Sequence, residues 1–276
     1  MKADFIEHPC YNPDLLNKAG RIHLPIAPDC NMQCNYCNRK YSCINESRPG
    51  VCSKIITPEE SGGYLKDKLK QHTETKVIGI AGPAETLANI DILYKTFTLL
   101  KKEYSGYLYC ISTNGLVLPD NIDLIKEIGI DYITITINSL NIQSIVKIYD
   151  WVKYKNKVYQ KYEAAEIILN QHKLALKVLK DSKIKYKINS ILIPGINEDD
   201  IKEVACQGAI FSALAQNIMP VVAVKHTKFE FCSEVSLDLL QKVRKESSKY
   251  IKVITHCQRC RADAAGLIKQ QHKIAN

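Results

Sequence analysis

Three cysteines in one short stretch, Cys30-Asn-Met-Gln-Cys34-Asn-Tyr-Cys37, constrain this chain more than any other feature. They follow the apolar run Leu24-Pro-Ile-Ala27, so a buried segment leads straight into a polar loop bearing thiols. Thiolates at this Cx3Cx2C spacing suit three irons of a cubane [4Fe–4S] cluster. The fourth iron then lacks a protein ligand and can take a small molecule. A structural zinc site instead draws on two CxxC-like pairs that close four ligands, and no second pair lies nearby in the sequence.

Eleven cysteines and no apolar signal core in Met-Lys-Ala-Asp-Phe-Ile-Glu-His point to metal in a reducing, cytoplasmic setting rather than to a disulfide framework. The apolar fraction of 46% and the charged fraction of 24% are those of an ordinary globular protein. No run is long and apolar enough for a membrane helix. The net charge of +9 fits a lysine-rich solvated surface. The lysines scatter through helices, as in Lys173-Leu-Ala-Leu-Lys177, without interleaved aromatics, so nucleic acid is not an expected partner.

Short β-branched runs alternate with longer helical patterns. Strands are expected at Val77–Ala81, Tyr107–Ile111, Tyr132–Ile137, Lys187–Ile193 and Ile218–Val222. Helices are expected at 59–71, 89–103, 120–127, 163–180, 199–214 and 236–248, with Ala164, Ile168, Ala175 and Leu179 on one face of the fourth. The alternation predicts an α/β fold, a partial, open (β/α)6 TIM-like barrel with its chemistry at the C-terminal strand ends. The cysteine loop, the Gly79–Pro83 turn, Ser112-Thr-Asn-Gly115 and Asn138 fall at such ends. One domain over 1–276 is expected, with 1–20 and 250–276 as flanking segments packed on the open mouth.

The cysteine spacing resembles that of the radical S-adenosylmethionine (SAM) enzymes, where SAM chelates the open iron. The wider context narrows the resemblance. Arg21-Ile-His-Leu-Pro-Ile-Ala-Pro-Asp-Cys30 through Cys37-Asn-Arg-Lys40, and then Ser42-Cys-Ile-Asn-Glu-Ser-Arg-Pro-Gly-Val51, resemble the NifB family of nitrogenase cofactor maturases. Matches continue at His8-Pro-Cys10, Gly79-Ile-Ala-Gly-Pro83, Ser112-Thr-Asn-Gly115, Lys187–Asn197, Asn217-Ile-Met-Pro220 and His256-Cys-Gln-Arg-Cys-Arg-Ala-Asp-Ala264. The chain resembles the short, stand-alone forms without an appended cofactor-carrier domain. It departs from the family at Ala84-Glu-Thr86, where a Gly and a Pro are lost around the retained acid, and at Cys52, where Thr is expected.

The resemblance implies a radical SAM enzyme that fuses two [4Fe–4S] substrate clusters, with a SAM-derived carbide and an extra sulfide, into an eight-iron precursor. It implies six further ligands, three per substrate cluster: His23, Cys10, Cys43, Cys110, Cys257 and Cys260. Cys257 and Cys260 would share one cluster with one scattered thiol, and His23 the other with the remaining two. Glu46 and Arg48 would handle protons or sulfide. Gly79, Ala81, Gly82, Pro83, Glu85, Ser112, Thr113, Asn114, Gly115, Asn138 and Asn189 would surround SAM. Arg259, Arg261 and Asp263 would neutralise an anionic cluster, or Arg261 and Asp263 would be a surface ion pair. Cys206 and Cys232 read as buried thiols without a metal, and Cys52 reads either way. Expected partners are an iron–sulfur cluster donor, an electron donor and a nitrogenase cofactor carrier or assembly scaffold. Two alternatives compete: another radical SAM enzyme with auxiliary clusters, of the molybdopterin-precursor or peptide-maturase type, and a non-catalytic iron–sulfur scaffold.

Overall fold

A computed structural model of the chain describes residues 7–47 and 50–268. Arg48 and the outer parts of both flanking segments lie outside the described residues. The strands are β1 Gly20–His23, β2 Met32–Cys34, β3 Thr75–Ile80, β4 Leu108–Thr113, β5 Tyr132–Thr136, β6 Tyr149–Tyr154, β7 Lys157–Gln160, β8 Lys185–Leu192, β9 Gln216–Pro220, β10 Val253–Ile254 and β11 Ala265–Gly266. The helices are α1 Pro58–Gln71, α2 Ile90–Glu103, α3 Ile122–Ile128, α4 Ile142–Ile148, α5 Lys161–Ser182, α6 Glu198–Ile210 and α7 Leu237–Ser247.

The main sheet runs β10-β9-β8-β5-β4-β3-β1-β11 and is parallel throughout except for β11. It does not close, so the fold is the open (β/α)6 partial barrel expected from the alternation. The strands bury both faces, which is why they read as continuous apolar runs: Ile78, Ile80, Ile133, Ile135 and Ile188 are all fully buried. Each such side chain contributes roughly 1.5–3 kcal/mol relative to exposure. The sheet edges are two-residue strands, too short to recruit another chain.

Local chemistry sets the helix ends. Thr57 and Glu60 form a reciprocal capping box at the start of α1. Gly129 closes α3 at φ 72°, a left-handed position that glycine adopts without strain. Helix α5 buries Ala164, Ile168, Ala175 and Leu179, the face its periodicity predicts.

Helix α4 and the edge strands β10 and β11 lie outside the sequence expectation, as do three features around the cysteine loop. The segment Leu24–Ala27 is irregular, and the strand ahead of the cysteine loop is β1 instead. A hairpin, β6–β7, is inserted between β5 and α5, turning at Lys155 and Asn156, both at positive φ. Strand β2, inside the cysteine loop, pairs antiparallel with β6 through Met32↔Val152 and Gln33↔Trp151. The loop is therefore held as the edge of a small second sheet.

The flanking segments close over the sheet. Tyr11 packs at a tilt against Tyr132 and its hydroxyl donates to Ile133 O at 2.7 Å. His23 N donates to Ala264 O at 2.8 Å, continuing the β1–β11 pairing. Among the described residues no helix is long and apolar enough to cross a membrane.

Candidate functional site

Side chains two apart on a strand share a face, and this periodicity builds two adjoining cavities inside the barrel. The pairs Cys110/Ser112 on β4, Thr134/Thr136 on β5 and Lys187/Asn189 on β8 all point inward. Cys110, Thr134, Lys187 and Asn189 line the inner cavity, Thr136 lines an outer one, and Ser112 lines both. Two residues of strand separate the layers by about 6.6 Å.

The outer cavity, of ≈ 330 Å³, is walled by Cys30, Cys34 and Cys37 on one side and by Pro83, Ala84, Glu85, Ser112, Thr113 and Asn114 on the other. Burial pushes the Cys30 thiol up to about 12 and raises Cys34 and Cys37, with mutual repulsion adding at Cys34. Cys34 is buried and Cys30 and Cys37 are half-buried; thiols that resist ionising alone become good ligands once a cationic group offsets their charge. Among the described residues no three side chains converge as they would on a single metal ion. Three thiols on one cavity wall suit a multi-iron cluster, where each thiolate holds its own iron.

Opposite the thiols, the Glu85 carboxylate accepts from Thr113 Oγ1 (2.5 Å), Asn114 N (2.6 Å) and Leu87 N (3.0 Å). Burial outweighs these bonds and lifts its pKa to about 7. Ala84 N donates to Ala27 O at 2.8 Å, so the segment that departs from the family pattern still docks on the cysteine loop. Asn114 Nδ2 reaches Asn31 Oδ1 at 2.8 Å and closes the other side.

The inner cavity, of ≈ 60 Å³, is lined by Cys10, His23, Cys110, Cys257 and Cys260, with Lys187, His8 and His256. His23 is buried, and its Nδ1 lies 3.2 Å from Arg261 O. A carbonyl can only accept, so Nδ1 carries the proton and Nε2 keeps a lone pair for a metal. Burial lowers its pKa to about 4, which keeps the ring neutral. Cys10 is pushed up to about 12 by burial and by Cys260, while Arg21 and Lys187 pull it down. Arg21, fully buried, donates from Nη2 to Cys260 Sγ at 2.8 Å. Lys187 donates to Asn189 Oδ1 at 2.8 Å and lies 5.7 Å from the Tyr11 ring centroid. Two buried cations among five cysteine and histidine ligands make a pocket suited to a polyanion.

Glu46 and Ser112 line both cavities. Glu46 accepts from Thr136 Oγ1 (2.9 Å) and Asn189 Nδ2 (3.1 Å), and burial raises its pKa. It stands at the wall between the thiol trio and the auxiliary ligands.

The radical SAM superfamily model matches residues 24–205. The chain is 40% identical over 268 residues to the FeMo cofactor biosynthesis protein NifB of Chlorobaculum tepidum, covering 97% of this chain and 63% of that protein. It is 38% identical to the protein of the same name from Methanocaldococcus infernus, covering 97% and 87%. The chain belongs to the NifB family of radical SAM proteins. It spans less than two thirds of the Chlorobaculum relative and 57% of the Klebsiella pneumoniae one. Solved structures share the fold: Streptococcus suis SuiB bound to S-adenosylmethionine has a TM-score of 0.59 at 12% identity, covering 87% of this chain and 50% of that one. The AdoMet-bound anSMEcpe has a TM-score of 0.55 at 13%, covering 85% and 63%.

Within this NifB-family fold, five of the six expected auxiliary ligands meet in the inner cavity. Cys43 does not; it faces the outer cavity in the same turn as Glu46. Ala81 lines the inner cavity and Pro83 the outer, with Gly82 at φ 119° turning the chain between them. Gly79 serves packing: a Cβ there would lie 2.5 Å from Cys110 Sγ. Gly115, at φ 78°, makes a turn against Ile135. Asn138 lies away from both cavities. Its amide donates to the Tyr36 and Tyr149 hydroxyls and accepts from Ile191 N, so its hydrogen bonds bind the barrel together. Arg259 bonds to Pro220 O, and Arg261 pairs with Asp263 at 2.8 Å near the surface. Cys206 and Cys232 line neither cavity, whereas Cys52 lines the outer one.

Sequence reasoning left Lys187 and Gln33 without a role. A lysine inside a strand that reads as buried on both faces was the available signal for Lys187. Gln33 acts within the loop, donating to Cys34 O (3.0 Å) and Cys37 O (2.7 Å).

Proposed function

We propose that this chain is a radical SAM enzyme of nitrogenase cofactor biosynthesis, fusing two [4Fe–4S] substrate clusters around a SAM-derived carbide. The observation that carries the reading is a pair of cavities that share Glu46 and Ser112 in their linings, one walled by the thiol trio and the other by auxiliary thiols and His23. Family membership supports it, because the relatives are named FeMo cofactor biosynthesis proteins.

When bound on Cys30, Cys34 and Cys37, a [4Fe–4S] cluster supplies the electron that splits the SAM sulfonium and the open iron that anchors it. Glu85, Thr113 and Asn114 form the polar wall facing SAM. Substrate clusters bind deeper. Cys10 neighbours Cys257 and Cys260, and these three hold one cluster. His23 and Cys110 flank Gly79, and with Cys43 at the boundary they hold the other. Three ligands each, one a neutral imidazole, let the product leave. Arg21 and Lys187 balance the anionic clusters. A first SAM would give its methyl group to a cluster sulfide and leave as S-adenosylhomocysteine; a second, on taking one electron, would leave methionine and supply the 5′-deoxyadenosyl group that takes a hydrogen from that methyl and departs as 5′-deoxyadenosine. Glu46, raised by burial and lining both cavities, takes up the methyl protons.

The test is complementation of a strain lacking NifB, read as nitrogenase activity, together with iron content. The expectation is restored activity and about twelve irons per reconstituted chain (three four-iron clusters, one resident and two as substrate). Iron that stays near four per chain, with SAM cleavage but no rescue, refutes the fusion reading and favours a radical SAM enzyme acting elsewhere.

A further inference from the structure

Arg39 follows the last thiol of the cysteine loop and turns back onto it. Its Nη2 donates to Met32 O, and Cys30 Sγ donates to the same oxygen. With those contacts at 2.5 and 3.3 Å, the guanidinium nitrogen and the Cys30 sulfur lie no more than about 6 Å apart. Arg39 Nε donates to Gln33 Oε1 at 3.2 Å, and the amide nitrogen of Gln33 donates to Cys34 O and Cys37 O. The guanidinium also lies 5.7 Å from the ring centroid of Trp151, on β6. A guanidinium is planar, stays charged and stacks on aromatic faces. Two hydrogen bonds and a ring face therefore hold one positive charge beside the loop. Arg39 lines the outer cavity together with the three thiols.

That charge acts on every thiol of the trio. Arg39 is the largest influence favouring the thiolate at Cys30 and at Cys37, and it acts in the same sense at Cys34. Glu85, across the cavity, opposes it at Cys30. Among the described residues Arg39 forms no ion pair, so no carboxylate beside it cancels its charge. The β6–β7 hairpin thereby gains a use. It pairs with β2 and carries Trp151, so it braces the Arg39 side chain against the loop.

We propose that the Arg39 guanidinium is a fixed positive charge that sets the reduction potential of the iron–sulfur cluster held by Cys30, Cys34 and Cys37. The proposal rests on the radical SAM reading, in which that cluster takes up one electron before SAM is cleaved. Reduction adds one unit of negative charge to a cluster on three thiolates, and no bond or proton changes. A cation close by favours the reduced form, so Arg39 makes the electron easier to accept. Because Arg39 is exposed, added salt screens the effect.

The test is a potential measured without SAM, so that any contact of Arg39 with SAM cannot move it. The full chain is reconstituted anaerobically in the background Cys110→Ala/Cys257→Ala, which removes one ligand from each substrate cluster and leaves the thiol trio intact. Titration with dithionite is followed by electron paramagnetic resonance. Arg39→Met should lower the equilibrium constant for reduction by about tenfold, ~59 mV for one electron, while about four irons stay bound. Arg39→Lys, which keeps the charge without the planar fork, should recover most of that shift. The gap between parent and Arg39→Met should narrow as salt rises. Lys40→Met, an equal charge loss in the same cavity, should shift the potential less. Urea unfolding read from Trp151, the single tryptophan of the chain, checks that each variant is folded.

A parent-like potential in Arg39→Met overturns the proposal, as does an equal shift in Lys40→Met or no recovery in Arg39→Lys. Loss of the cluster from both Arg39 variants also overturns it, because the side chain then anchors the loop rather than setting the potential. A parent chain that takes up no cluster on the trio sinks the radical SAM reading itself, whereas a full cluster at an unmoved potential sinks the role of Arg39 alone.

Discussion

Replacing Gly79 by alanine tests whether the barrel wall aims Cys110 into the inner cavity. Gly79 and Cys110 are register partners on β3 and β4, and a Cβ at residue 79 would lie 2.5 Å from Cys110 Sγ. Ordinary contacts fall near 3.5–4.0 Å, so the overlap is about 1–1.5 Å. Backbone on both strands is held by the parallel ladder, and the thiol must swing away. Overpacking of this size costs about 1–3 kcal/mol, a fall in Tm of roughly 2–4 °C for each kcal/mol in a chain of this order of size. The functional effect is larger than the stability effect, because a displaced Sγ no longer faces the cavity. Gly79→Ala is therefore expected to lose iron from the inner cavity while keeping the cluster on Cys30, Cys34 and Cys37. Iron analysis and urea unfolding of Gly79→Ala, Cys110→Ala and the double variant check this. In the Cys110→Ala background the clash has no partner, so the stability cost of Gly79→Ala should vanish, giving a coupling of the same magnitude. Equal destabilisation by Gly79→Ala in both backgrounds, or full iron loading of the single variant, would refute the assignment.

Glu46→Gln preserves shape and removes the titrating carboxyl between the cavities. Iron loading should persist while product per SAM consumed falls by about 10²-fold or more; unchanged turnover removes Glu46 from the chemistry. Glu85 titrates near 7 when folded against 4.5 in the open chain, so the unfolded state ionises first. Stability should fall as pH rises from 4.5 to 7, by up to about 3 kcal/mol, and Glu85→Gln should lack that slope in urea melts. His172 behaves with the opposite sense. Burial lowers its pKa to about 4, with Nε2 held 2.9 Å from Asn114 O. The unfolded state takes the proton first below 6.5, so stability is lost as pH falls toward 4, and His172→Gln should flatten that limb by up to about 3 kcal/mol. Parallel pH profiles for wild type and either variant would contradict the corresponding shift.

Much of the barrel was legible because its signals are local. Buried parallel strands must be apolar on both faces, and all five strand expectations lie within a few residues of β3, β4, β5, β8 and β9. Helices α1, α2, α5, α6 and α7 likewise follow from periodicity and caps. The β6–β7 hairpin was not legible, because its turn is Lys155-Asn156 rather than a glycine turn and its strands alternate polar and apolar residues weakly. Strand β2 depends on that hairpin and has no signal of its own. The short edge strands β10 and β11 exist only by pairing with β9 and β1.

The site divides along the same line between local and tertiary information. Cys30, Cys34 and Cys37 are close in sequence, so their joint role needs no fold to be seen. Cys10, Cys110, Cys257 and Cys260 meet only after the two flanking segments fold back over β4 and β5, and resemblance to a family stood in for that knowledge. Asn138 shows where pattern reasoning misleads: a polar residue at a strand end faces the cavity or its neighbours, and here Tyr36 and Tyr149 claim its amide. Lys187 shows the converse. Its register two residues before Asn189 forces it inward, into the cavity it shares with Glu46, Cys10 and Cys110, whose charged forms it favours. The period of two along β4, β5 and β8 is thus what stacks the two cavities, and a chain that kept the cysteines but slipped one strand by a single residue would turn one row of these side chains away from both.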